Sequence, residues 1–203
     1  MFTAIDSVPL TAIAFFMLTG ELMTSATITD RLVALSRALI GRIRGGLAQV
    51  NVLVSMFFAG MNGSVVADTA TVGALVLPAM KKAGYPAAFS AAVTGVSSTI
   101  GGIIPPSIMM IVLANATEIS IASLFAAGII PGILIGVVIM VINHYFAVKH
   151  NFERSDEPFS VRRAGKELYR SSFALLIPLV LVGSVMGGVA SVVEAGAITA
   201  LVA

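Results

Sequence analysis

The stretch GGIIPPS, residues 101–107, places two glycines and two prolines inside one of the most apolar parts of the chain. It follows AAFSAAVTGVSSTI and precedes IMMIVLANA. Glycine and proline at this density break an α-helix, because proline lacks a backbone N–H and glycine loses the most conformational freedom. Backbone that is not helical leaves N–H and C=O groups unpaired, which is costly in hydrocarbon. A break at membrane depth is therefore expected to be buried in protein or to line a water-filled cavity.

The composition of the chain indicates an all-α integral membrane protein. Of 203 residues, 58% are hydrophobic and 11% are charged, against roughly 25% charged in a typical soluble domain. There is no cysteine, so neither a disulfide nor a cysteine-based metal site can form. No zinc-protease motif, P-loop or nucleophile elbow is present, and basic residues do not cluster with aromatic ones. We therefore expect no enzyme activity, no cofactor and no nucleic-acid partner.

The basic residues define the expected topology. They form three clusters: Arg31, Arg37, Arg42 and Arg44; Lys81 and Lys82; and Lys149, Arg154, Arg162, Arg163, Lys166 and Arg170. Positive charge beside membrane segments marks the cytoplasmic side, so all three clusters are placed there. Each segment between two clusters must then cross the membrane an even number of times.

This parity predicts the organisation of the chain. Residues 47–80 are too few for two full spans and a loop, so two half-length helices are expected to meet in a re-entrant hairpin near Gly60–Ser64. The expected units, in chain order, are a transmembrane span (1–28), an amphipathic cytoplasmic interfacial helix (29–46), the hairpin (47–80), a broken transmembrane helix with an outer loop (83–120), a short interfacial helix and a span (121–148), a cytoplasmic loop (149–170), and a span followed by an unfinished segment (171–203).

The sequence thus contains two breaks, GMNGS at 60–64 and GGIIPP at 101–106, each flanked by serine and threonine. Carbonyl and hydroxyl oxygens suit a small cation such as Na⁺, and the positive end of a helix dipole suits an anionic substrate. This pairing at mid-membrane recurs in secondary transporters. Ser64 is expected to open the second arm of the hairpin, and Pro106 and Ser107 the second half of the broken helix. A structural kink or close helix packing is the alternative for each break taken alone.

Asp68 is the one ionisable residue deep between the basic clusters. An acid inside the membrane is costly and is usually functional. It lies one turn after Ser64, where a helix N-terminus stabilises a carboxylate. Two roles are open, ligation of a cation and hydrogen bonding that holds the hairpin tip, and the second is the preferred interpretation.

These motifs resemble a known family. The stretch FFAGMNGSVVADTATVGALVLPAMKKAGYPAAFSAAVTGVSSTIGGIIPPSIMMIV, residues 57–112, is similar to the large membrane subunit of tripartite ATP-independent periplasmic (TRAP) transporters. The resemblance implies one repeat of an elevator-type ion transporter fold in a bacterial inner membrane. It also implies Na⁺-coupled import of organic acid anions such as C4-dicarboxylates or sialic acid. The implied partners are a small membrane subunit and a periplasmic substrate-binding protein.

The resemblance also implies site residues. These are Gly60, Asn62, Gly63 and Ser64 at the hairpin tip, and Thr99, Gly101, Gly102, Pro105, Pro106 and Ser107 on the facing broken helix. Asn62, Ser64, Thr99 and Gly101 are the implied Na⁺ ligands. Serine is usual in the family where Asn62 stands, and proline where Gly102 stands.

Family subunits are longer and carry an inverted second repeat, which residues 171–203 only begin. The expectation is a fragment that is not sufficient for transport alone. Two alternatives stay open: a degenerate membrane protein without transport activity, and a cation/proton antiporter in which Asp68 carries the proton.

Overall fold

The computed structural model describes residues 8–25, 28–152 and 160–202, and every regular element in those ranges is helical. The helices are α1 (Val8–Ser25), α2 (Ile28–Ile40), α3 (Gly46–Asn62), α4 (Val65–Lys82), α5 (Ala87–Ser98), a 3₁₀ turn (Thr99–Gly102), α6 (Ile108–Thr117), α7 (Ile121–Lys149), α8 (Val161–Met186) and α9 (Val192–Val202). The all-α expectation is confirmed for these residues.

Among the helices in these described ranges, α7 and α8 are long and apolar enough to cross a membrane. Large apolar side chains on α7 point away from the protein, and Ile130 is 74% exposed. Residues 121–127 were expected to form a separate interfacial helix, but α7 runs without interruption from Ile121 to Lys149. Ser120 caps the start of α7, accepting a hydrogen bond from the Ser123 N–H at 3.5 Å, and Pro131 lies inside the helix without ending it.

Helix α8 begins inside the region expected to be a cytoplasmic loop. Ser160 caps it, since the Ser160 hydroxyl accepts from the backbone N–H of Arg163 at 3.3 Å. The basic residues from Arg162 to Arg170 therefore lie on the first turns of a 26-residue helix that continues into apolar sequence. Arg154 lies outside the described residues.

The hairpin forms between α3 and α4, but its arms are longer than the half-length helices expected from the sequence. They have 17 and 18 residues, about 26 Å each at 1.5 Å per residue. The reason is that the turn uses only Gly63 and Ser64, so Gly60 remains inside α3. Helix α3 packs against α1, α2, α4, α5, α7 and α8 and is the centre of the fold.

Helix α2 shows the expected amphipathic pattern, with a shorter extent than the predicted 29–46. Leu32 and Leu35 are fully buried, whereas Leu39 is 40% exposed. The buried face packs against α3 and α8. Protein therefore covers the part of the apolar face nearest the start of the helix.

The first two basic clusters and Lys149 of the third lie on chain segments whose ends meet. Arg44, from the first cluster, donates from Nη1 to Asn151 Oδ1 at 3.5 Å, just beyond α7. Tyr85, which follows the second cluster, packs its ring against that of Phe152 with a centroid distance of 4.7 Å. These contacts place the ends of α2, α4 and α7 beside one another.

Candidate functional site

The hairpin tip consists of Asn62, Gly63 and Ser64. Gly63 has φ +58°, in the left-handed region that favours glycine, and its N–H donates to the Ala59 carbonyl at 3.2 Å. The Ser64 N–H donates to Asn62 Oδ1 at 3.1 Å, and the Ser64 hydroxyl accepts from the Ala67 N–H at 3.3 Å. The sequence GMNGS therefore supplies a C-cap glycine and an N-cap serine in adjacent positions.

The facing break begins where α5 ends at Ser98 and the chain tightens into the 3₁₀ turn. The Pro105–Pro106 peptide bond is cis. Ser107 then caps α6, because its hydroxyl accepts from the Met110 N–H at 3.3 Å. The same hydroxyl donates to the Gly102 carbonyl at 2.8 Å and so closes the irregular segment.

The two breaks are joined through their main chains. The Ile108 N–H donates to the Gly63 carbonyl at 3.2 Å. A Cβ atom on Gly63 would meet the Pro106 carbonyl oxygen and would lie 2.9 Å from Ser107 Cα. Only a glycine permits this approach, and it sets the N-terminal ends of α4 and α6 beside each other.

The remaining predicted residues divide between two sides of this contact. Gly101 and Gly102 face the start of α4: a Cβ on Gly101 would lie 3.7 Å from the Val65 nitrogen. Gly60 lies on the opposite side, where its Cβ would be 3.8 Å from the Pro105 carbonyl oxygen and 3.4 Å from Pro178 of α8. Gly60 thus lies close to both the broken segment and α8.

Asp68 lies in the first turn of α4 and is fully buried. The hydroxyls of Ser55 and Ser98 are its polar neighbours, but neither carboxylate oxygen has a partner that meets hydrogen-bond geometry. The Ser98 hydroxyl instead donates to the Thr94 carbonyl at 2.9 Å. The hydrogen bonds described at the tip run among Ala59, Asn62, Gly63, Ser64 and Ala67 and do not include the Asp68 carboxylate. Both roles of Asp68 therefore stay predictions.

A polar network between α3 and α5 was not predicted from the sequence. Asn51 is fully buried; its Nδ2 donates to Thr94 Oγ1 at 2.7 Å, and its Oδ1 accepts from the Ser97 hydroxyl at 3.2 Å. Ser55, one turn after Asn51, lies 3.3 Å from the Ser97 hydroxyl. The sequence feature that could have indicated this network is the four-residue spacing of Asn51 and Ser55 in an otherwise apolar helix, because that spacing places both side chains on one helix face.

The structure brings together only some of the four implied Na⁺ ligands. Ser64 and Gly101 lie side by side. The Asn62 amide is buried at the tip, with its Oδ1 accepting from Ser64 and its Nδ2 unpaired. Thr99 is exposed, and its hydroxyl donates to the Val96 carbonyl at 2.7 Å. Asn62 also packs closely against Gly20 of α1, where an added Cβ would lie 2.6 Å from Asn62 Cβ.

This oxygen-rich arrangement is suited to a hard cation and not to a soft metal. In the described residues, no group of three histidine, cysteine, aspartate or glutamate side chains is placed to hold a metal ion. The available groups are hydroxyls, carbonyls and the Asp68 carboxylate, which are ligands for alkali and alkaline-earth ions. The unpaired carboxylate supports the fit, because a bound cation would compensate its burial.

Comparison with known proteins identifies the family. The family described as "Tripartite ATP-independent periplasmic transporter, DctM component" matches residues 1–203. The chain is 38% identical over 198 residues to the sialic acid TRAP transporter permease protein SiaT of Haemophilus influenzae, covering 97% of this chain and 32% of that protein. It is 36% identical to the sialic acid large permease SiaM of Vibrio cholerae, and the match covers 100% of this chain and 47% of that protein. It is also 36% identical to the C4-dicarboxylate large permease DctM of Pseudomonas aeruginosa, and the match covers 99% of this chain and 47% of that protein.

The chain thus spans about a third to a half of the length of these relatives. The matched part includes both helix breaks and Asp68, since the family match extends over the whole chain. The protein is therefore a member of the DctM family of TRAP transporter components, which are membrane permeases and not enzymes.

Proposed function

We propose that this chain supplies one half of the ion and substrate site in a Na⁺-coupled TRAP importer of organic acid anions. The observation that carries the proposal is the main-chain contact between the hairpin tip and the broken helix, Ile108 N–H to Gly63 C=O. It holds two helix N-termini together next to an unpaired buried carboxylate. The first feature is suited to an anion and the second to a cation.

The anion would lie at the starts of α4 and α6. The first backbone N–H groups of a helix have no partners within the helix, and the helix dipole makes that end positive. Ser64 and Ser107 each satisfy one such N–H and leave others available. The relatives whose names include sialic acid, C4-dicarboxylate and 2,3-diketo-L-gulonate support an acid anion as substrate.

The cation would be drawn to Asp68 and the oxygens near it. An ionised carboxylate without donors is unstable in a buried site, and a cation at 2–3 Å would supply the missing charge. Ser55 and Ser98 add hydroxyl oxygens beside it. Binding of Na⁺ would stabilise the packing of α4 on α5 and thereby order the anion site above it.

Transport by the whole assembly would follow an elevator movement of this region across the inner membrane. A substrate-binding protein and a small membrane subunit would be its partners, as the TRAP family implies. Because the relatives are about two to three times longer, we propose that uptake requires sequence corresponding to the rest of their length.

Cation binding is tested on the 203-residue chain itself. The apparent melting temperature of the detergent-purified protein is measured against NaCl, with KCl at equal ionic strength as the salt control. Na⁺ is expected to raise it, and Asp68→Asn is expected to remove the Na⁺ response. Asp30→Asn serves as the matched variant, because Asp30 is an exposed acid on α2.

The outcomes separate the alternatives. Equal effects of NaCl and KCl on the wild-type protein would contradict a Na⁺ site. A melting temperature that follows pH instead of Na⁺, and only when Asp68 is present, would support a proton carrier. Transport is then tested by uptake into proteoliposomes that contain the chain, the remaining permease length, the small subunit and a binding protein, with and without a Na⁺ gradient.

A further inference from the structure

A cleft at the basic end of the molecule is not part of the site described above. It consists of two adjoining cavities of about 610 and 430 Å³ that share Ile43 and His144. The first is also lined by Arg42, Arg44 and Val148, and the second by Gln49, Val137, Met140 and Val141. One end of the cleft is therefore cationic and the other is apolar.

The cationic end is fixed in position by the loop between α2 and α3. Gly45 has φ +74° and packs directly against Ala147 of α7, with no room for a Cβ. Arg44 is further tied to α7 by its hydrogen bond to Asn151. Arg42, Arg44 and His144 thus line the same cavity. Guanidinium groups recognise phosphate by paired hydrogen bonds.

The apolar end runs along the outward face of α7. Val137 and Val141 are 51% and 64% exposed, and they precede His144 by about two turns and one turn of the helix, respectively. Gln49, on α3, forms the inner wall; its Nε2 donates to the Met140 carbonyl at 2.8 Å, and its Oε1 has no partner. Since α7 is long and apolar enough to span a bilayer, this part of the cleft would face acyl chains.

We propose that this cleft binds an anionic phospholipid, with its phosphate at Arg42 and Arg44 and an acyl chain along Val137 and Val141. One end of the cleft is positively charged and the other is apolar, which matches a lipid with a phosphate at one end and hydrocarbon at the other. A free phosphate would leave the apolar half unfilled. The proposal does not depend on the ion site.

The probe is phosphatidylglycerol, compared with phosphatidylcholine of the same acyl chains. Native mass spectrometry of the detergent-released chain counts retained lipid. We expect phosphatidylglycerol to be retained preferentially and Arg44→Gln to lower its affinity about fivefold, the usual contribution of one basic residue near a membrane surface. Arg44→Lys keeps the charge and should retain most of the preference. Arg37→Gln removes an exposed charge of the same cluster that does not line the cleft.

A matched pair of variants tests the apolar half of the cleft. Val141→Trp fills the cleft and should lower phosphatidylglycerol retention, whereas Val138→Trp, also on the exposed surface of α7 but outside the cleft, should not. Equal retention of both lipids by the wild-type chain would overturn the proposal. Equal losses from Arg37→Gln and Arg44→Gln would do the same, as would full displacement of the lipid by inorganic phosphate.

Discussion

The hairpin and its facing helix, α3 to α5, have the opposite arrangement to the long helices α7 and α8. In the first region polar side chains are inside: Asn51, Ser55 and Asp68 are fully buried. In the second, apolar side chains are outside, with Ile130 at 74% and Leu179 at 71% exposure. A water-soluble protein would instead place apolar side chains inside and polar side chains on its surface. The difference shows that lipid accommodates the outer helices, while protein encloses the polar groups that lipid would exclude.

The largest expected effect comes from separating the two breaks. Gly63→Ala introduces a Cβ at positive φ and against the backbone of Pro106 and Ser107. We expect destabilisation of about 4 kcal/mol from backbone strain and overpacking together. Gly95→Ala is the matched control, because nothing lies within 4 Å of an added Cβ there, and a helical alanine should stabilise slightly. Apparent melting temperatures in detergent compare the two variants; similar losses would refute the main-chain contact.

A charge on the outer surface tests the second region. Ile130→Asp should disfavour membrane insertion of α7 by about 3 kcal/mol, the cost of aspartate near the centre of a spanning helix. The measurement is the fraction of protein recovered in the membrane after expression. Ile130→Ala leaves the surface apolar and should insert normally. If the aspartate variant inserts equally well, this face of α7 does not contact lipid.

The polar interior of the hairpin region should be less sensitive than the tip. Asn51→Ala leaves Thr94 and Ser97 without one partner each, and we expect a loss of about 2 to 3 kcal/mol in the free energy of unfolding. Asn115→Ala, at an exposed position on α6, should change stability by less than about 0.5 kcal/mol. Urea denaturation in detergent gives both values. A loss at Asn51 as small as that at Asn115 would show that the network is not stabilising.

The smallest effect distinguishes two serine caps. Ser107→Ala loses a cap and the hydrogen bond to the Gly102 carbonyl, so we expect about 2 kcal/mol. Ser160→Ala loses the cap of α8, an exposed one, and should cost about 1 kcal/mol or less. Equal costs in the same denaturation assay would mean that Ser107 acts only as a cap and does not close the break.

The sequence predicted the features that local chemistry determines. Ser64 and Ser107 were predicted to open helices, because the preference of serine for a helix start acts within one turn. The lengths of the hairpin arms were underestimated, since Gly60 was read as part of the break. Gly60 lies inside α3, where an added Cβ would be 3.4 Å from Pro178 Cβ. No local sequence pattern shows this neighbour, which is 118 residues away.

The same limit applies to the site. Asp68 was recognisable as an acid in apolar sequence, but its lack of hydrogen-bond partners depends on how α4 packs against α3 and α5. Asn51 was overlooked because its partners, Thr94 and Ser97, lie on another helix. The continuity of α7 from Ile121 to Lys149 was also missed, because residues 121–127 were expected to form a helix of their own.

The bond from the Ile108 N–H to the Gly63 carbonyl has a consequence for how the protein can vary. Both atoms belong to the main chain, so exchanging the side chain at position 108 leaves the bond in place unless proline is introduced. A saturation library across 60–65 and 101–108 should therefore be unevenly permissive. Position 62, where asparagine stands, should accept several small polar residues, while position 63 should reject nearly everything. Side chains around the two breaks can therefore be substituted while the backbone conformation stays the same.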